Sequence, residues 1–233
     1  MFLNLFKIPF LLAVLLIPYL TDAQEPLFDS TDKKVFANTG IVSGLIFTSA
    51  FAMDEGFRSF TLSGRNKVMD NFTHTANYMG SKKVILPLNA LVYAGGIVSG
   101  NSELQKTSYN AFKSVMSSAA LTISLKYLTG RSRPYTDDGA YAFDPFPENK
   151  HAFRSLPSGH STLAFAFFTP FAEKYSQWLY AIPFSVGISR IYKDDHWVSD
   201  VVMGSAIGFV AGYFFQRKNR NIEISLNGIV INF

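Results

Sequence analysis

The chemistry-bearing side chains lie in three short clusters. The first is Lys126-Tyr127-Leu128-Thr129-Gly130-Arg131-Ser132-Arg133-Pro134. The second is Pro157-Ser158-Gly159-His160. The third starts at Ser189-Arg190, reaches His196 and ends at Asp200. A phosphate dianion needs several cationic, multidentate donors. Lys126, Arg133 and Arg190 can supply them, the arginines as planar forks and the lysine as a point charge. Ser158 precedes an apolar run and is a good N-cap, so the residues after it should present backbone N–H groups. Such a terminus attracts anions, and Gly159 allows the backbone to come close to a phosphate oxygen. His196 and Asp200 are four residues apart, which puts them on one face of a helix. A carboxylate so placed holds an imidazole in one tautomer and raises its nucleophilicity. A histidine–aspartate pair of this kind is usually structural, but beside Arg190 and with His160 to hand it reads as a catalytic dyad.

Written as patterns, the clusters are K-x6-R-P, P-S-G-H and S-R-x5-H-x3-D. Over residues 126–200 the chain thus resembles the type 2 phosphatidic acid phosphatase superfamily, which includes bacterial class A acid phosphatases and vanadium haloperoxidases. Each fragment alone is weak; three in order with their internal spacings are specific. The resemblance implies roles. His196 attacks phosphorus, Asp200 orients it, and His160 protonates the leaving oxygen and later helps activate water. Lys126, Arg133, Ser158, Gly159 and Arg190 hold the phosphate. It also implies no metal and no other cofactor. Asp137, Asp138 and Asp144 could suggest a metal, but their spacing fits no cage of known geometry. His74 reads as an ordinary residue of an amphipathic segment, and His151 lies in the loop before the second cluster.

The elements that must position these groups read as helices. Val35–Met53 is a run of 19 residues without charge. Asp54–Lys83 is polar and amphipathic, with Met69, Phe72, Ala76 and Met79 at helical spacing and Gly80 near its end. Val84–Gly100 is apolar, and Ala111–Leu128 is an apolar helix that Pro134 terminates. Residues 135–156 form a long loop, of the length that in a compact domain usually serves function. Ser161–Ala172, Trp178–Ile188 and Val201–Phe215 are apolar and helical in character. The tail alternates around Asn227-Gly228, a hairpin signal. The expected fold is all-α: about six helices with the site at one end, and a short C-terminal hairpin. Residues 1–23 read as a secretory signal peptide or an uncleaved anchor, 24–216 as the helical domain, and 217–233 as a basic segment and tail.

Composition narrows the function classes. Net charge is +4 and the pI about 9.2, yet the only dense basic cluster is Arg217-Lys218-Asn219-Arg220, after an apolar run. That placement suits a membrane edge and not a nucleic-acid face. Only 16% of residues are charged, against about 25% in ordinary globular proteins, and mean hydropathy is +0.14. Without cysteine, thiolate catalysis and cysteine-based zinc sites are excluded. The expected protein is an exported, membrane-associated enzyme of a bacterial envelope, its site facing the periplasm. Its expected substrate is a phosphorylated lipid, as monoester or pyrophosphate. A broad-specificity soluble periplasmic acid phosphatase and a vanadium-dependent haloperoxidase are the alternatives. Three apolar runs separate the leader from Lys126. Three crossings after a cleaved leader would put that cluster in the cytoplasm, and an uncleaved leader, as a fourth crossing, would leave it on the same side, so an exported site needs one run not to cross.

Overall fold

The structure, a computed structural model, describes residues 30–148, 151–218, 222–225 and 228–231. The expected signal segment 1–23 lies outside the described residues. The chain divides into two units, Met1–Ala37 and Asn38–Phe233. The described part of the first is the beginning of α1; the second holds everything that follows.

Seven α-helices are described: α1 Ser30–Ser63, α2 Lys67–Tyr78, α3 Lys82–Val98, α4 Ser102–Thr129, α5 Gly159–Lys174, α6 Ala181–Tyr192 and α7 Val198–Lys218. The all-helical expectation holds, and two boundaries differ from it. The charge-free run stops at Met53, but α1 continues to Ser63. It does so because Asp54, the charge that seemed to end it, is buried and paired. The chain then breaks at Gly64-Arg65-Asn66, so the amphipathic segment expected over Asp54–Lys83 is the end of α1, all of α2 and the start of α3. Among the described residues, no strand enters the helical body. At the tail, the backbone of Ile222–Ser225 runs antiparallel to that of Gly228–Ile231.

Local chemistry sets most helix ends. Asn66, Ser81 and Asn101 each accept a hydrogen bond from a first-turn amide, at Met69, Lys83 and Leu104. Gly130 closes α4 in the left-handed region, φ 56°. A Cβ there would lie 1.7 Å from the Asp144 carbonyl oxygen, so only glycine lets the following loop fold back over the end of α4.

The core joins α3, α4 and α5 through Ile85, Ala111, Val115, Ala166, Phe167, Phe168 and Phe171. A fully buried phenylalanine contributes roughly 1.5–3 kcal/mol, and α5 supplies most of them. Asn89 and Ser108 tie α3 to α4 by reciprocal side-chain to carbonyl bonds of 3.0 Å. α7 lies against α5 along Gly204, Gly208 and Gly212, one turn apart. A Cβ at these positions would come within 2.4 Å of Ser158 O, 2.3 Å of Thr162 O and 2.6 Å of the Thr169 side chain. This stripe brings the start of α7 to the start of α5, where the second and third clusters must meet.

Candidate active site

The ends of α4 and α6 and the starts of α5 and α7 converge, and all three clusters come together there. Lys126 is in the last turn of α4. Its ammonium donates to the carbonyls of Arg154 at 2.6 Å and Ser155 at 3.0 Å, and its Cε would meet a Cβ added to Gly159 at 3.8 Å. Arg133, after α4, is buried. It donates to the carbonyls of His151 and Asp195 at 3.3 and 3.2 Å. Arg190, in the last turn of α6, donates from Nη1 to Asn77 Oδ1 of α2 and pairs with Asp195 at 3.0 Å. Its Nε is buried without a hydrogen-bond partner among the described residues, a donor suited to an anion in the same space.

The long loop thus has a definite task. Its carbonyls at His151, Arg154 and Ser155 fix Lys126 and Arg133 in place, and Ala140 does the same for Arg131. Backbone acceptors carry no sequence signature, so this role was not legible beforehand.

Ser158 is the N-cap of α5, but not in the expected way. Its side chain makes no capping bond. The hydroxyl accepts from Ser161 Oγ at 3.0 Å, and the amide donates to Asp200 O at 2.9 Å. The Ser158 N–H is therefore engaged by α7, which leaves its hydroxyl proton and the amides of the following residues to face an anion. Gly159 and His160 are the first two residues of α5.

His196 and Asp200 face each other at the start of α7. Nδ1 of His196 lies 3.4 Å from Asp200 Oδ2 and 3.3 Å from Ser155 Oγ. Ser155 donates a short hydrogen bond to the same carboxylate oxygen, and the Trp197 amide donates to it at 3.0 Å. The dyad is thus a triad with Ser155 as third member. Asp200 Oδ1 accepts from Arg131 at 2.8 Å, and Arg131 pairs with Asp54 of α1, also at 2.8 Å.

Burial first, then Lys126, Arg133 and Arg190, holds the His196 imidazole neutral, well below its ordinary value. Burial followed by the same cations pushes His160 down to about 3. Lys126 falls to about 7, through burial and then Arg133. The site therefore carries excess positive potential, which favours a dianion. His74 stacks edge-on against Tyr78 on α2 and His151 is exposed; neither joins the triad. Sequence reasoning did not mark Ser155, Asp195, Asn77, Arg131 or Asp54. For Arg131 and Ser155 a faint signal existed, their position inside or beside a motif block; for Asn77 and Asp54 only the fold reveals the role.

The family model of the PAP2 superfamily matches residues 109–223. The lipid A 1-phosphatase of Rhizobium etli is 39% identical over 102 residues, 42% of this chain and 44% of that protein. The lipid A 1-phosphatase of Porphyromonas gingivalis is 40% identical over 81 residues, 32% of this chain and 18% of that protein. The chain spans less than half the length of these curated relatives. Two crystal structures share the fold, each with a TM-score of 0.58. Aquifex aeolicus LpxE is 23% identical and matches over 71% of this chain and 95% of its own. A transmembrane PAP2-type phosphatidylglycerolphosphate phosphatase from Bacillus subtilis is 22% identical and matches over 76% and 94%. With the family match running through all three motif blocks on a shared fold, the chain belongs to the PAP2 superfamily.

Proposed function

We propose that this protein is a phosphatase acting on lipid phosphates, as monoesters or pyrophosphates, through a phosphohistidine at His196. The observation that carries the reading is the orientation of His196. Its Nδ1 is turned toward Asp200 and Ser155, which leaves Nε2 as the nucleophilic nitrogen, in a ring of Lys126, Arg133 and Arg190. The substrate phosphate is held by these three cations, by the Ser158 hydroxyl and by the amides that begin α5 at Gly159. The Nε2 lone pair attacks phosphorus, and the bond from phosphorus to the ester oxygen breaks. That oxygen takes a proton from His160. The imidazolium formed at His196 is stabilised by Asp200. Water then attacks phosphorus, giving a proton to His160; the P–N bond breaks and inorganic phosphate leaves. His160 must be protonated to act as the acid. The bound dianion offsets the cations that depress it and raises its proton affinity toward that state. No step calls on a metal ion.

The apolar exterior supports a lipid substrate. Ile41, Leu45, Phe60, Leu91, Met116 and Phe184 are all exposed, on α1, α3, α4 and α6, far more than scattered single apolar residues. Two helices, Lys33–Ser63 and Val198–Arg217, are long and apolar enough to cross a membrane, and little of the apolar stretch of the first is buried. The relatives named lipid A 1-phosphatase favour the same substrate class. In this reading the enzyme sits in the bacterial envelope with its site on the periplasmic side. Phosphate release by the purified protein tests it. Short-chain phosphatidic acid, lipid A phosphate and a lipid pyrophosphate should be hydrolysed in EDTA, and orthovanadate should inhibit. Preference for sugar phosphates over every lipid would move the assignment to a broad-specificity acid phosphatase. Loss of activity in EDTA with recovery in magnesium would overturn the metal-free mechanism.

A further inference from the structure

We propose that Asp54, on α1, is a positioning residue for the catalytic histidine, acting through Arg131 and Asp200. The inference rests on the proposed role of His196. Asp54, Arg131 and Asp200 are at most 1% exposed. Arg131 is the bridge: Nη2 donates to Asp54 Oδ2 and Nη1 to Asp200 Oδ1, both at 2.8 Å, and Nε donates to Ala140 O at 2.9 Å. Ser199 stitches the same groups together. Its amide donates to Asp54 Oδ1 at 3.1 Å, its hydroxyl donates to Asp54 Oδ2, and it accepts from Arg131 Nη1 at 2.6 Å. The guanidinium also lies over the rings of Phe51 and Trp197, 4.7 and 5.5 Å from their centroids. Arg131 thus has no path to solvent, and its charge must be balanced from within.

Two carboxylates share that one cation. Were Asp200 the sole counter-ion, Arg131 would neutralise the charge that Asp200 needs when positive charge develops on His196. Asp54 takes up part of the guanidinium, so that Asp200 keeps its negative character on the Oδ2 side, where His196, Ser155 and the Trp197 amide converge. Breaking a buried ionic network by removing one partner leaves an uncompensated charge; here it would sit next to the carboxylate that serves the nucleophile. α1 approaches the site through polar contacts of the same region. Arg58 forms a two-point ion pair with Asp194 at 2.9 and 2.8 Å, and Glu55 accepts from the Ala140 amide at 2.6 Å. A long apolar helix outside the three motif blocks therefore contributes to their chemistry.

The test compares Asp54→Asn with wild type, alone and in an Asp200→Asn background, on a lipid phosphate in detergent. Expected for Asp54→Asn is a kcat lower by about ten- to hundredfold, the scale typical when an outer partner of a site residue is lost. KM and orthovanadate inhibition should stay within about twofold, because the phosphate cage is not touched. In the Asp200→Asn background the loss should vanish, since Asp54 acts through that carboxylate. The Nδ1 proton resonance of His196 should move upfield in Asp54→Asn, a readout that needs no turnover. Unchanged kcat and resonance in folded Asp54→Asn, or an undiminished loss on top of Asp200→Asn, overturns the inference. If Asp54→Asn does not fold, Ser199→Ala replaces it, with the same pattern at smaller amplitude expected and its absence overturning the idea. A wild type without phosphatase activity is the failure of the proposed function, and the resonance then decides the positioning claim by itself.

Discussion

Lys126 is the cation of the cage most easily lost. Its proton affinity is lowered to about 7, while guanidinium groups stay charged throughout the working range. Below pH 7 it is an ammonium and holds phosphate; above it the cage loses one of three charges. The sign is therefore fixed: the affinity for inorganic phosphate as a competitive inhibitor, which does not depend on the His160 proton, should fall as pH rises through 7. At pH 8 it should be up to about tenfold lower than at pH 6, because one unit above its pKa a group keeps about a tenth of its proton. The phosphate ligand cannot cause this limb, since its dianion, the form the cage favours, becomes more abundant as pH rises. In Lys126→Arg the limb should move beyond pH 9. A wild-type profile flat to pH 9 would contradict the assignment of Lys126. The residues that could be found by motif spacing, Lys126, Arg133, His160, Arg190, His196 and Asp200, are those that would touch substrate or nucleophile. Those that hold them were hidden, because Asn77 meets Arg190 across 113 residues and Asp54 meets Arg131 across 77.

Among the elements, the meeting of α5 and α7 decides whether the site exists. The first-turn carbonyl of Ser158 and the carbonyl of Thr162 lie where side chains at Gly204 and Gly208 would go. Gly208→Ala would force the helices apart, at a cost of about 1–3 kcal/mol, and each kcal/mol should lower Tm by about 2–4 °C. Thermal unfolding in detergent measures this; an unchanged Tm would mean that the helices are not held this closely. Gly212→Ala, farther from the site, should lower Tm with a smaller loss of turnover than Gly204→Ala. The sequence made the helices legible because their apolar runs are long and their ends carry Asn66, Ser81, Asn101 and Gly130. It misplaced the end of α1 because Asp54 looks like a solvated boundary and is an internal ion-pair partner. A charge at the end of an apolar run reads the same in both cases until its partner is known.

At the scale of the molecule, the apolar surface and the polar site are at odds unless a bilayer covers the former. Active protein should stay with membranes through carbonate extraction and leave them only in detergent. Recovery of active enzyme in a soluble fraction would contradict this. α1 brings Asp54 and Arg58 to the site, α3 departs from beside it, where Gly80 packs on His160, and α4 returns Lys126 to it. α7 begins at the site and runs away from it. If α7 crosses, a reporter after Phe215 should therefore lie on the side opposite the site, cytoplasmic for a periplasmic enzyme. A reporter on the periplasmic side would reverse the orientation proposed here.

Trapping the covalent intermediate decides whether His196 is the nucleophile. Wild-type protein is mixed with a substrate labelled in the phosphoryl group, quenched within the first turnover and digested under conditions that preserve phosphohistidine. Label is expected on the peptide carrying His196, within a burst no larger than the enzyme concentration, and neither label nor turnover in His196→Ala. Label on a different residue, or turnover retained in His196→Ala, would contradict that role.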